Sequence, residues 1–265
     1  MNNACRHCTI LRNKVVGYQT ITLNKGFTVM SGTFLGLNEG ETLDIQSLVL
    51  TGDNVTPGAD NIQLLNDQSV SYVTYNWTDA DNSPLWLPVD PNNEDGEWYG
   101  VPGWINEAGD ALLDWDMPAA QGFVIYSENG GVDLTVSGQV KESNKVYETV
   151  GGFVVLGNFN PTSLNIQNIT LTGDNVTPGT DNIQLLNDQS VSYAAYNWTD
   201  ADNSPLWLPV DPDNEDGEWY GVPGWINEAG DALLDWDMPA GQGFVLFTQN
   251  AGVTVTIPSY KNATK

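Results

Sequence analysis

A segment of about ninety residues occurs twice in this chain, at 51–140 and again at 172–260, and that duplication limits the possible folds more than any other feature. With Thr51 aligned to Thr172, only five positions differ between 51–124 and 172–245: Ala59/Thr180, Val73/Ala194, Thr74/Ala195, Asn92/Asp213 and Ala120/Gly241. Stretches this similar are expected to fold alike, so the 265 residues divide into two units rather than one large domain. The expected boundaries are a flexible tail at 1–14, a first unit at 15–140, a second at 145–260 and a short tail at 261–265. The linker between units is Lys141-Glu142-Ser143-Asn144. All ten tryptophans fall in the two copies, five in each, which gives each unit apolar material for a core.

The copies consist of short apolar and β-branched runs separated by Gly, Pro, Asn and Asp, with no helical periodicity sustained over three turns. The chain therefore reads as all-β: two tandem antiparallel β-sandwich-like, or flattened-barrel, domains. Residues 15–23 alternate, Asn24-Lys25-Gly26 carries a turn signal, and 27–34 return, a pattern expected of a hairpin. Further strands are expected at 43–50, 61–65, 70–77, 98–104, 122–126 and 132–136, with a tight turn at Asn129-Gly130 between the last two. A short helix is expected at 106–114 and its twin at 227–235, weakened by Gly109.

Every Lys, every Arg and the single His lie outside both copies, while the net charge is −26. A carboxylate inside a copy has no basic partner there. It must be hydrated, spread from its neighbours, screened by salt or bound to a cation. A field of this sign repels phosphates, which excludes nucleic acid and anionic membrane surfaces as partners. No apolar run approaches the ~18 residues of a spanning helix, so no membrane insertion is expected.

The charge argument directs attention to the loop from Asp79 to Gly96 and its repeat from Asp200 to Gly217. Asp79, Asp81, Asp90, Asn92, Glu94 and Asp95, with Asp200, Asp202, Asp211, Asp213, Glu215 and Asp216, offer the hard oxygen ligands that calcium takes in sixes to eights. Their spacing is not that of an EF-hand. The competing reading is an Asx-turn loop, in which Asp and Asn side chains accept from nearby backbone amides.

Interleaved with this loop is an aromatic set. Trp86, Trp98, Tyr99 and Trp104, and their twins Trp207, Trp219, Tyr220 and Trp225, lie near Pro and Gly, where exposure is expected. Flat rings beside carboxylates and amides have the chemistry of a sugar-binding surface, and core packing is the alternative. Tyr75 and Trp77 alternate on one strand and read as core. Asp114 and Asp116 flank Trp115, but two carboxylates so placed are expected on a solvated face, and no nucleophile or phosphate-loop motif accompanies them. No enzymatic activity is expected. Cys5 and Cys8, with His7 between them, supply too few ligands for a metal site and lack a redox context, so this segment reads as incidental tail.

The opening VVGYQTITLNKGFTVMSG, the internal DNIQLLND and the closing MPAGQGFVLF (238–247; MPAAQGFVIY at 117–126) resemble uncharacterised secreted bacterial tandem-repeat β-proteins. The resemblance implies export, β-sandwich-like modules and an extracellular or cell-surface location, although residues 1–14 lack the apolar stretch of a secretory signal. It implies no catalytic residues. The resulting expectation is a non-enzymatic tandem module for adhesion or glycan binding, with acidic loops suited to calcium. The alternative is a structural subunit that assembles with like subunits into a filament or surface layer.

Overall fold

The computed structural model describes residues 16–36, 42–65, 72–92, 96–186, 193–210, 217–227 and 229–262, with the side chains of 65, 72–75, 186 and 193–197 left aside. Cys5, His7 and Cys8 fall outside this set, as does the tail at 1–14. The protein is all-β, built of antiparallel sheets, and among the described residues none of them closes into a barrel.

In the first half, β1 (Val16–Leu23), β12 (Val132–Gln139) and β4 (Val49–Thr51) make one sheet in the order β1-β12-β4. A second sheet runs β2 (Gly26–Ser31), β11 (Gly122–Ser127), β5 (Asn61–Leu65), β6 (Tyr72–Thr78) and β9 (Gly103–Ile105). Two short ribbons complete the half: β3 (Thr42–Asp44) with β10 (Asp116–Pro118), and β7 (Trp86–Pro88) with β8 (Trp98–Gly100). The second half repeats this with β13 (Lys145–Gly157), β14 (Leu164–Asn165), β15 (Thr170–Thr172), β16 (Asn182–Leu186), β17 (Tyr193–Thr199), β18 (Trp207–Pro209), β19 (Trp219–Gly221), β20 (Gly224–Ile226), β21 (Asp237–Met238) and β22 (Gly243–Ile257). Its main sheet runs β13-β22-β16-β17-β20, with β15 beside β22.

The two hairpins expected at Asn24-Lys25-Gly26 and Asn129-Gly130 do not form. β1 pairs with β12 and β2 with β11, so each turn signal marks a place where one long strand bends from one sheet into the next. The second half makes this plain, because there β13 and β22 run unbroken along each other. The pairing register of β13 shifts between Glu148 and Gly152, where Gly151 and Gly152 have φ values of +84° and +82° that a side chain resists.

Other boundaries also differ from expectation. Residues 43–50 are two strands, because the Asp44 carboxylate accepts from the Gln46 amide at 2.9 Å and starts a 3-10 turn over Ile45–Ser47. Residues 98–104 are broken at Val101-Pro102, where proline has no amide to give a ladder. No helix forms at 106–114: the Asn106 side chain accepts from the Asp110 amide at 3.1 Å and donates to the Asp110 carboxylate at 2.7 Å, holding a turn instead.

One apolar core lies among Leu23, Ile45, Ile62, Trp104, Phe123 and Leu134, and another among Phe159, Ile166, Ile183, Trp225, Phe244 and Val255. Between them Val29, Val124, Val155 and Val245 pack together. The contacts here are reciprocal. Met30 bridges to Gln242 as Leu156 does to Gln121, and the Ser31 amide donates to the Gly241 carbonyl as the Gly157 amide does to Ala120, at 3.0 and 3.1 Å. A Cβ on Gly122 would strike Val155, and one on Gly243 would strike Val29. The linker is tied down by an ion pair of 2.7 Å between Glu142 and Lys261.

Candidate functional site

The β7–β8 ribbon begins at Ser83. Its hydroxyl accepts from the Leu85 amide at 3.1 Å and donates to the Leu85 carbonyl at 3.0 Å, turning the chain out of the acidic loop. The pairing extends beyond the three-residue strands, since the Val89 amide donates to the Glu97 carbonyl and the Val101 amide to the Leu85 carbonyl. Only Val101-Pro102 separates β8 from β9, so the ribbon leaves the five-stranded sheet at its β9 edge.

Register decides which side chains meet. Trp86 lies opposite Gly100, Leu87 opposite Tyr99 and Pro88 opposite Trp98. Directly paired residues share a face and successive residues alternate. Trp86, Pro88 and Trp98 therefore stand on one face, with the two indoles as diagonal neighbours, and Leu87, Tyr99 and Val89 stand on the other. Both faces are partly exposed: Trp86, Trp98 and Tyr99 are 47%, 48% and 48% exposed, and Trp207, Trp219 and Tyr220 are 46%, 47% and 47% exposed. The second ribbon repeats the register, with Trp207 opposite Gly221, Leu208 opposite Tyr220 and Pro209 opposite Trp219.

Trp104 and Trp225 do not join this surface. Both are fully buried. Each indole donates to a backbone carbonyl at 2.8 Å, of Leu48 and of Ile169 respectively, and meets Trp77 or Trp198 edge to face, with ring centroids 5.4 and 5.1 Å apart. The backbone beside Trp104 is held by Gln46, whose side chain accepts from the Trp104 amide and donates to the Trp104 and Leu113 carbonyls. Neighbouring Pro and Gly suggested exposure, but a glutamine 58 residues away secures this strand inside the core. Trp77 is core, as its alternation implied, while the side chain of Tyr75 lies outside the described residues.

The described carboxylates of the loop are held in local turns or stand exposed. Asp79 accepts from both the backbone and side-chain amides of Asn82 at 2.9 Å, and Asp200 accepts likewise from Asn203. Asp90 accepts from the Asn92 backbone at 2.9 Å. These are Asx turns. Asp81, Asn92 and Asp202 are exposed. Glu94, Asp95, Asp211, Asp213, Glu215 and Asp216 lie outside the described residues. Among the described residues no three Asp, Glu, His or Cys side chains gather as metal ligands. Asp114 and Asp116 are exposed.

One carboxylate was passed over. Asp60 and its twin Asp181 are fully buried in copies that hold no cation. Asp60 accepts from the Thr56 amide at 2.7 Å and the Glu128 amide at 2.8 Å, and Asp181 from Thr177 and Gln249 in the same way. Two backbone amides stand in for the missing basic partner. The signal in sequence is the T-P-G-x-D run that both copies share.

Comparison with known protein families, with curated proteins and with solved structures finds no match.

Proposed function

We propose that this protein is a non-enzymatic, secreted or surface-displayed tandem β-module that binds glycans through two copies of the aromatic ribbon. The observation that carries the reading is the pair of diagonal, half-exposed indoles on one ribbon face, present in both halves at matching exposure. Apolar side chains left half in water on both faces of a two-stranded ribbon add little to a core. A flat double ring is instead suited to the apolar face of a pyranose, with neighbouring amides and carboxylates available to its hydroxyls. Duplication then raises apparent affinity, because binding at one ribbon lifts the effective concentration at the other.

A glycan array probed with the whole chain, with Trp86→Ala, and with Trp86→Ala combined with Trp207→Ala tests this. The expected result is a stepwise loss of signal at unchanged melting temperature; no bound glycan on the array would sink the reading. Running the array with calcium and again with chelator decides whether the acidic turns contribute through an ion.

A second reading, assembly into a filament or layer, has an observation of its own. β1 ends its sheet, and Val16 and Tyr18 on it are 62% and 79% exposed, an edge that a like chain can extend. Electron microscopy of concentrated protein that shows only single particles counts against it.

A further inference from the structure

The surroundings of the ribbon narrow the class of sugar. Each ribbon is planted on an acidic turn: Gly100, opposite Trp86, lies so close to the Ala80 carbonyl that a Cβ would not fit, and Gly221 meets Ala201 in the same manner. Ala80 sits between Asp79 and Asp81, both exposed. At the other end of the ribbon Glu97, also exposed, immediately precedes Trp98 and pairs through its carbonyl with Val89, and the exposed Asp90 follows. Carboxylates thus stand at the root of the ribbon and at its tip, where Glu97 shares the Val89 and Tyr99 face, in a copy with no Lys, Arg or His to neutralise them.

A neutral sugar would stack on the rings and leave this charge unanswered. An anionic sugar would be repelled by a chain with a net charge of −26. A cation is drawn both by the carboxylates and by the faces of the indoles. A basic peptide meets the charge but does not need two indoles on one face, whereas a chain of pyranoses carrying protonated amines uses both features together. Resting on the glycan reading, we propose that the two ribbons bind a cationic amino-polysaccharide, a glucosamine polymer in its protonated form.

The test compares three probes of equal length by calorimetry with the whole chain: a glucosamine oligomer, its fully N-acetylated counterpart and oligolysine. They differ in the cation and in the ring separately. The glucosamine oligomer is expected to bind about tenfold tighter than the acetylated one and to weaken as salt is raised. Trp86→Ala combined with Trp207→Ala is expected to lower its affinity about tenfold while leaving the circular dichroism and melting temperature unchanged. Equal or tighter binding of the acetylated oligomer overturns the cationic proposal and leaves the glycan reading standing. Binding of neither oligosaccharide overturns both. Oligolysine binding as tightly as the glucosamine oligomer, undiminished in the double variant, assigns the surface to charge alone and also overturns the proposal.

Discussion

The two halves share nearly every residue across 51–124 and 172–245, yet they do not occupy equivalent surroundings, as the difference between Ala120 and Gly241 shows. Ala120 and Gly241 both form the third position of a four-residue turn, closed by the Gln121 amide on Pro118 and the Gln242 amide on Pro239. Both have positive φ, +64° and +73°. Ala120 is fully buried in the core of the second half, whereas a methyl on Gly241 would sit 2.9 Å from Thr33 Oγ1 and 3.1 Å from Ile21 Cδ1 of the first. At the start of the 3-10 turns, Asp44 lies across from Asp116, while its counterpart Asn165 donates to both Asp235 and Asp237, at 3.2 and 3.1 Å. Tyr126 donates to Glu128 at 2.6 Å where the second half has Phe247 and Gln249. At these positions the two copies differ in residue and in what the residue touches.

The largest test of equivalence is at the buried indoles. Trp104→Ala and Trp225→Ala should each destabilise by about 3–5 kcal/mol in urea unfolding, against little change for Trp86→Ala. Unequal losses would show that one half depends on the other. Next comes the turn. Gly241→Ala should cost about 1–3 kcal/mol, from left-handed strain and overpacking, whereas Ala120→Gly, which trades relief of that strain for a lost buried methyl and added chain entropy, should stay within about 1 kcal/mol of the parent. If both changes were equally harmful, the contact with Thr33 would not be what distinguishes the positions.

Smaller still is the cap. Asp44→Asn should stabilise, and Asn165→Asp destabilise, by about 0.5 kcal/mol each, more at low salt, because one removes and the other creates a pair of opposed carboxylates. Equal melting temperatures at low salt would dismiss this. The smallest effect appears only in alkali. The hydrogen bond to Glu128, then burial and the nearby negative charges of Glu128 and Asp60, raise the Tyr126 phenol above its usual 10.0. Its contribution to stability is thus complete below the unfolded value and disappears as pH rises through the folded one. An ultraviolet titration should show a late-ionising phenol that Tyr126→Phe abolishes.

Strand-forming stretches were legible in sequence because alternation and Gly/Pro punctuation are local signals. Their pairing was not. Asn24-Lys25-Gly26 and Asn129-Gly130 carry the same residues whether a strand reverses or bends into another sheet, and only the partner strand distinguishes the two. The ribbon was half legible: its aromatics were recognised, but Trp86-Leu87-Pro88 is apolar on both faces and so lacks the alternation that marks a strand. Trp104 was misjudged because its burial depends on Gln46, and nothing near Trp104 announces a partner so distant in the chain. The Asx turns at Asp79 and Asp90 were foreseeable from chemistry alone, since each Asp has an Asn two or three places on.

Ala120 has one more consequence. A residue from the first half lines the interior of the second, and the ribosome delivers the first half before the other exists. The later half thus matures against a template already present, and a protease cut at the 141–144 linker followed by dilution should uncover in the C-terminal fragment the hollow that Ala120 fills.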